Sequence, residues 1–254
     1  MDGFKKDWFR DWFGEDYLTV YSYRNDHDAE ALIRLILKNI PFSRQSLLLD
    51  LGCGNGRYSF GLLPQVKKII GLDLSAHLLH AAQKRKQQKR NKSWPVFIRG
   101  DMRSLPFQSV FDVVLSLFTS FGYFENDQQH QQVASGIADV MKPGGYLVLD
   151  YLNASYVRQN LEPSDQRDVD GMKVYEQRWI SQDRVFKKIT VNHPDEERVF
   201  YESVRLFSRD EMSGVLQNAG IDVLNIFGDY DGRPHSDASK RMIFFGRKNT
   251  AKMK

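Results

Sequence analysis

The chain of 254 residues has room for one α/β core and a modest insertion. Its 41% hydrophobic and 27% charged residues are usual for a soluble globular protein. Its net charge of +4, from 36 basic and 32 acidic side chains, is too mild to imply a nucleic-acid partner. The lone cysteine, Cys53, excludes an internal disulfide and suits a reducing compartment. No apolar stretch approaches the roughly 18 residues of a membrane span, and Met1–Trp8 lacks the apolar core of a signal peptide. A cytoplasmic protein with no membrane partner is expected.

Residues 1–24 carry Phe4, Trp8, Phe9, Trp12, Phe13, Tyr17, Tyr21 and Tyr23. So many rings do not stay in water, so this arm must pack on something. Two readings stand: a lid over a ligand cleft, or a strap or homodimer contact. Asn25 or Asp26 can cap a helix with Ala29, Leu32, Ile33, Ile36 and Ile40 on one face, ended by Pro41.

Leu47-Leu48-Leu49-Asp50-Leu51 then reads as a strand buried on both faces, and Gly52, Gly54 and Gly56 follow it. A glycine turn at the carboxyl end of such a strand lets a ligand reach main-chain N–H groups without meeting a Cβ. The dinucleotide fingerprint needs a third glycine at position 57, where Arg57 stands. Asp50 would also repel a pyrophosphate and suits a ligand with a positive group. Cys53 reads as a small residue filling the turn rather than as a nucleophile.

Asp50-x-Gly52-x-Gly54-x-Gly56 resembles motif I of the class I S-adenosylmethionine-dependent methyltransferases. The cofactor of that family, S-adenosyl-L-methionine, carries an amino group and a sulfonium. The arm adds a looser likeness: Phe13–Leu18 with Tyr21–Arg24 is similar to the leader of one subgroup. There such Tyr and Arg side chains, here Tyr17, Tyr21 and Arg24, close over the methionine end of the cofactor.

The first wound helix is expected over about 56–65, and Ile69–Asp73 is a second buried strand. Asp73 lies about 17 residues beyond Gly56, close to the interval at which a carboxylate takes ribose hydroxyls. Leu74 follows it. Ser75 opens a helix that runs into the basic tract Lys84–Lys92, read as a solvated helix end rather than an RNA contact. Val96–Ile98 is a third strand. After it, Asp101 and Met102 match the family positions that meet the adenine amine and ring face. Phe111–Leu117 is the fourth strand, with Leu117 at the cofactor end. Asn126 with Gln129 resembles a capping box. Lys142–Gly145 stops that helix before a fifth strand, Tyr146–Asp150.

Beyond about 172 the helices stop. Three extended runs, Met172–Ile180, Arg184–Asn192 and Arg198–Phe207, mix apolar and charged residues as a sheet with one wet face does. Ser208 with Glu211 is a capping box, and Ile221–Phe227 with Arg241–Gly246 form a closing hairpin. The expected fold is a Rossmann-like, doubly wound, mostly parallel seven-stranded sheet with a small antiparallel insertion. Its divisions are an arm at 1–24, a core at 25–160 and 208–254, and an insertion at 161–207.

The resemblance implies a methyltransferase but leaves the acceptor open. The fourth strand is followed by Ser116-Leu117-Phe118-Thr119, not the Asn/Asp-Pro-Pro-Tyr tetrad of many enzymes that methylate planar amines in nucleic acids and proteins. This favours a small-molecule acceptor over a tRNA or protein, with a non-catalytic cofactor-binding scaffold as a further alternative. Tyr123, His27, Asp229 and His235 are candidate bases, and no spacing singles one out. No metal is expected.

Overall fold

The structure is a computed structural model and describes residues 4–22, 26–88 and 94–250. Its main sheet contains β1 (Leu47–Leu51), β2 (Lys68–Asp73), β3 (Val96–Arg99), β4 (Phe111–Ser116), β5 (Met141–Leu152), β10 (Ile221–Phe227) and β11 (Arg241–Lys248), in the order β10-β11-β5-β4-β1-β2-β3. The five strands from β3 to β5 run parallel, and β11 lies antiparallel between β5 and β10. The expected seven-stranded, mostly parallel sheet is therefore present.

Successive residues of β1 feed opposite layers. Leu49 and Leu51 join one apolar core, whereas Leu48 joins the other with Ile69, Val113 and Leu115. The continuous apolar run is the mark of a strand covered on both sides. α3 (Asp26–Asn39) covers one face with Ala29, Leu32, Ile33, Ile36 and Ile40, the residues chosen by helical spacing. On the other face lie α6 (Asp127–Val140) and α8 (Arg209–Asn218), through Val133, Ile137, Val140, Met212 and Leu216. Among the described residues no helix is long and apolar enough to cross a membrane.

The strand order reverses at β1. The chain winds outwards through β2 and β3, then returns to place β4 on the other side of β1. Such a switch point opens a crevice at the carboxyl ends of the strands. Here that crevice lies between the glycine turn after β1 and the loop after β4.

The three expected extended runs are β7 (Met172–Ser181), β8 (Arg184–Asn192) and β9 (Glu197–Arg205), joined in a separate antiparallel sheet of order β6-β7-β8-β9. The fourth member, β6 (Ser164–Val169), has the sequence Ser-Asp-Gln-Arg-Asp-Val and no apolar stripe, so periodicity does not reveal it. It is a charged edge strand, and the left-handed Asp170-Gly171 pair turns it into β7.

Some local expectations need adjustment. The capping box at Ser208 and Glu211 forms in full. At Asn126 only half of one does: the Asn126 side chain accepts from Gln129 N, but Gln129 Oε1 accepts from Glu125 N, one residue upstream of the cap. β5 begins at Met141 rather than Tyr146, with residues 142–145 bulging out between the pairs Phe111–Met141 and Val113–Tyr146. A short helix, α7 (Ala154–Asn160), capped by Asn153, links β5 to the insertion.

The arm folds into α1 (Phe9–Trp12) and α2 (Glu15–Val20), which pack on β9 of the insertion and on the helix Ala76–Gln88 of the core respectively. Trp8, Phe9, Trp12, Val20 and Tyr21 are buried in the same core as β1 and α6. Polar groups fasten the arm to the insertion. Trp12 Nε1 donates to Glu202 at 2.6 Å, and buried Asp16 accepts Arg198 Nη1 at 3.2 Å. It also meets the core, where the Ser75 hydroxyl donates to Phe13 O and Trp8 lies edge-on to Tyr123.

Candidate active site

The crevice holds a cavity of about 230 Å³. Its floor is the glycine turn. Gly52, Gly54 and Gly56 have φ of +66°, +54° and +76°, values that L side chains rarely adopt. A Cβ on Gly52 would stand 2.6 Å from Ser120 Oγ, so the loop after β4 presses directly on the turn. Buried Cys53 fills the space beneath Gly71, and burial keeps its thiol protonated, which fits a packing role.

Two acids stand at the strand ends. Asp50, 1% exposed, accepts the Ser59 hydroxyl at 2.6 Å. Burial raises its carboxyl to about 6; the Ser59 bond opposes the rise and nearby Asp73 adds to it. Asp73 accepts Gly54 N and Ser75 N, each at 2.8 Å, one on each oxygen. Burial raises its pKa also, against the pull of those two bonds and the one from Leu74 N. A carboxylate offers about four acceptor positions. After these three bonds one remains on Asp73 for an incoming hydroxyl.

Asp101 lies at the end of β3 with Met102, and both line the cavity. Arg103 grips the Asp101 carboxylate with Nη2 at 2.7 Å and Nε at 3.1 Å, and its backbone N adds a third bond at 3.0 Å. Burial raises the Asp101 pKa, but this fork outweighs it and leaves the group below the usual carboxylate range. An exocyclic amine arriving there must share an oxygen with Arg103.

Of the residues chosen from sequence, Tyr17, Tyr21, Asp50, Gly52, Gly54, Asp73, Leu74, Asp101, Met102 and Leu117 all line this one cavity. Arg24 lies outside the described residues, as does the side chain of His27. The Tyr21 ring faces the cavity, but its hydroxyl donates to Glu202 at 3.2 Å and accepts from Lys187 at 2.9 Å, which ties it to the insertion. Of the other candidate bases only Tyr123 is part of the wall; Asp229 and His235 are not. Only Lys84 and Arg85 of the basic tract have described side chains, and the Arg85 guanidinium lies over the Phe60 ring.

Phe9, Phe13, Leu18 and Ser22 of the arm also line the cavity, with Arg57, Tyr58, Phe118, Ser120 and Phe124 of the core. Arg57 and Tyr58 directly follow the glycine motif, so their proximity was readable. Phe118 stands at the carboxyl end of the fourth strand, where substrate and methyl group are expected to meet, but its left-handed turn has no glycine to announce it.

These residues fit S-adenosyl-L-methionine. The residues suited to adenine follow β3, the one suited to ribose ends β2, and the glycine turn and Leu117 follow β1 and β4. The same order links the adenine, ribose and amino-acid end within that molecule.

Residues 48–145 match a family model described as a methyltransferase domain. A cypemycin N-terminal methyltransferase from a Streptomyces species is 28% identical, over 84% of this chain and 87% of that protein. The dTDP-4-amino-2,3,4,6-tetradeoxy-D-glucose N,N-dimethyltransferase of Saccharopolyspora spinosa is 27% identical, over 85% of this chain and 88% of that protein. A solved S-adenosylmethionine-dependent methyltransferase from Clostridium acetobutylicum shares the fold with a TM-score of 0.75, at 18% identity over 87% of this chain and 91% of that one.

Proposed function

Since this chain belongs to the class I S-adenosylmethionine-dependent methyltransferases, we propose that its acceptor is a small-molecule amine. The observation that carries this reading is the aromatic lining of the cavity. Phe9, Phe13, Tyr17, Leu18 and Tyr21 of the arm roof it, and Phe118, Tyr123 and Phe124 wall it from the core. A compact molecule fits such a space, whereas a folded RNA or protein surface does not. The two relatives named for an amine acceptor over most of their length support the choice of atom.

When bound, the cofactor supplies an activated methyl group on a positively charged sulfur, which an acceptor lone pair can take by in-line displacement. The protein therefore has to orient and to exclude water. Asp73 takes the ribose hydroxyls, Asp101 and Met102 take the adenine, and Asp50 lends negative charge near the glycine turn for the amino group. Tyr17 and Arg24 are assigned to the methionine end. The aromatic roof keeps water out. An amine that arrives neutral already has its lone pair and needs no base. Burial raises the Tyr58 phenol, so it keeps its proton and serves as wall. We further read residues 1–24 and 161–207 as a joint cover over the core, and the free thiol of Cys53 supports cytoplasmic action.

Asp50 makes cofactor affinity depend on pH. Its folded pKa lies above its unfolded one, so the folded state holds the proton more tightly. Its contribution to stability is full below about pH 4 and is lost as pH rises through about 6. Attraction for the cofactor's ammonium runs the other way and needs the charged form. S-adenosylmethionine affinity should rise between pH 5 and 7, and Asp50→Asn should flatten that rise. Calorimetry across this range reads both slopes; parallel slopes would remove Asp50 from the assignment.

The acceptor class is tested with isotopically labelled S-adenosylmethionine and a cell extract fractionated by size. Label should appear in low-mass cationic products. Label in precipitable RNA or protein would instead support a macromolecular acceptor. Cofactor binding without transfer to any fraction would support a scaffold.

A further inference from the structure

We propose that Asp150, Arg241 and Tyr230 are positioning residues that set the loop Leu117–Ser120 as the wall of the cofactor's amino-acid end, an inference that rests on the methyltransferase reading above. The starting observation is backbone strain. Phe118 and Thr119 have φ of +55° and +62°, a left-handed pair with no glycine in it, immediately after β4. Bulky and β-branched residues rarely take this conformation and hold it only where their surroundings impose it.

Asp150, near the carboxyl end of β5, imposes it. Its Oδ2 accepts Phe118 N at 3.0 Å and its backbone carbonyl accepts Thr119 N at 2.9 Å. The carboxylate is 1% exposed and is itself held from two sides. Arg241 Nε donates to Oδ1 at 2.8 Å, and the Tyr230 hydroxyl donates to Oδ2 at 2.9 Å. Arg241 completes the grip by donating from Nη2 to Thr119 Oγ1 at 3.0 Å. Tyr230 comes from the polar loop between β10 and β11, whose candidate bases Asp229 and His235 lie outside the cavity lining.

The strained turn delivers three groups to the site. Leu117 and Phe118 line the cavity, and the Phe118 ring centroid lies 5.2 Å from the Arg57 guanidinium carbon. Ser120 Oγ donates to Leu117 O at 2.8 Å and occupies the space that a Cβ on Gly52 would need. With adenine assigned to β3 and ribose to β2, the next strand ends are β1 and β4. Only the amino-acid end of the cofactor is left to meet them.

A buried ion pair with no role in binding would show the same hydrogen bonds, so the test compares two ligands. S-adenosylhomocysteine has the amino-acid end; 5′-methylthioadenosine has the adenine, ribose and sulfur but lacks it. Tyr230→Phe removes one hydroxyl, Thr119→Val removes the Arg241 acceptor at nearly equal volume, and Arg241→Lys keeps the charge without the fork. By calorimetry, each variant should bind 5′-methylthioadenosine within twofold of the wild type. S-adenosylhomocysteine should weaken about fivefold in Tyr230→Phe and Thr119→Val, and more in Arg241→Lys. General loss of folded protein weakens both ligands by one factor, and that result overturns the proposal, as does no change in either. If Arg241→Lys does not fold, the two milder variants carry the comparison. A wild-type protein that binds neither ligand refutes the methyltransferase reading itself.

Discussion

Replacing Asp73 by alanine should weaken S-adenosylmethionine binding by about 1–3 kcal/mol, the scale of hydrogen bonds lost to a charged group. In the structure this carboxylate accepts Gly54 N and Ser75 N, and it lines the cavity with an acceptor position to spare. Alanine removes the ribose partner and also frees the Gly54 amide from its acceptor, so the glycine turn loosens together with the site. Asp73→Asn keeps one acceptor oxygen and should lose less. Calorimetry gives the affinities, and circular dichroism confirms that the fold survives. Unchanged affinity in a folded Asp73→Ala protein would sink the assignment.

Trp12→Ala should lower stability by about 3–5 kcal/mol, as loss of a large buried ring does. Trp12 is 1% exposed and packs on Tyr17, Tyr21 and Phe200, with its ring centroid 4.8 Å from that of Phe200. Its indole N–H also satisfies Glu202, which shares Lys187 and Tyr21. Trp12→Phe restores most of the ring but not the donor, and should recover more than half of the loss. Urea unfolding measures both. A loss below about 1 kcal/mol for Trp12→Ala would show that the arm is dispensable to the fold. Sequence reasoning expects removal of residues 1–24 to leave the core folded. The structure argues otherwise, because that deletion strips Trp8, Phe9, Trp12, Val20 and Tyr21 from the shared core. Point variants in the arm are therefore the informative ones.

Those two residues mark what was legible. Asp73 could be found because a buried strand, a glycine turn and a fixed interval are local signals. The parallel sheet was readable for the same reason: β1, β2 and β4 are short, mainly apolar runs, and β1 runs straight into a glycine turn. β6 escaped because Ser-Asp-Gln-Arg-Asp-Val pairs through its backbone and buries no stripe of its own. Glu176 belongs to the same class. It is 2% exposed inside a charged-looking strand, and it is stable there because Arg167, Arg178 and Lys187 converge on it from β6, β7 and β8. Partners that meet only after folding leave no periodic trace. The Asp150–Arg241–Tyr230 cluster is illegible for that reason too, since 91 residues separate its ion pair.

Every site assignment depends on where the cofactor lies across the strand ends. A crystal structure of this protein with S-adenosylhomocysteine measures that. The ribose hydroxyls should lie within hydrogen-bond distance of the Asp73 carboxylate, the adenine beside Asp101 and Met102, and the amino-acid end between the Gly52 turn and the Leu117–Ser120 loop. A nucleoside bound in the reverse direction, or away from Asp73, would contradict it.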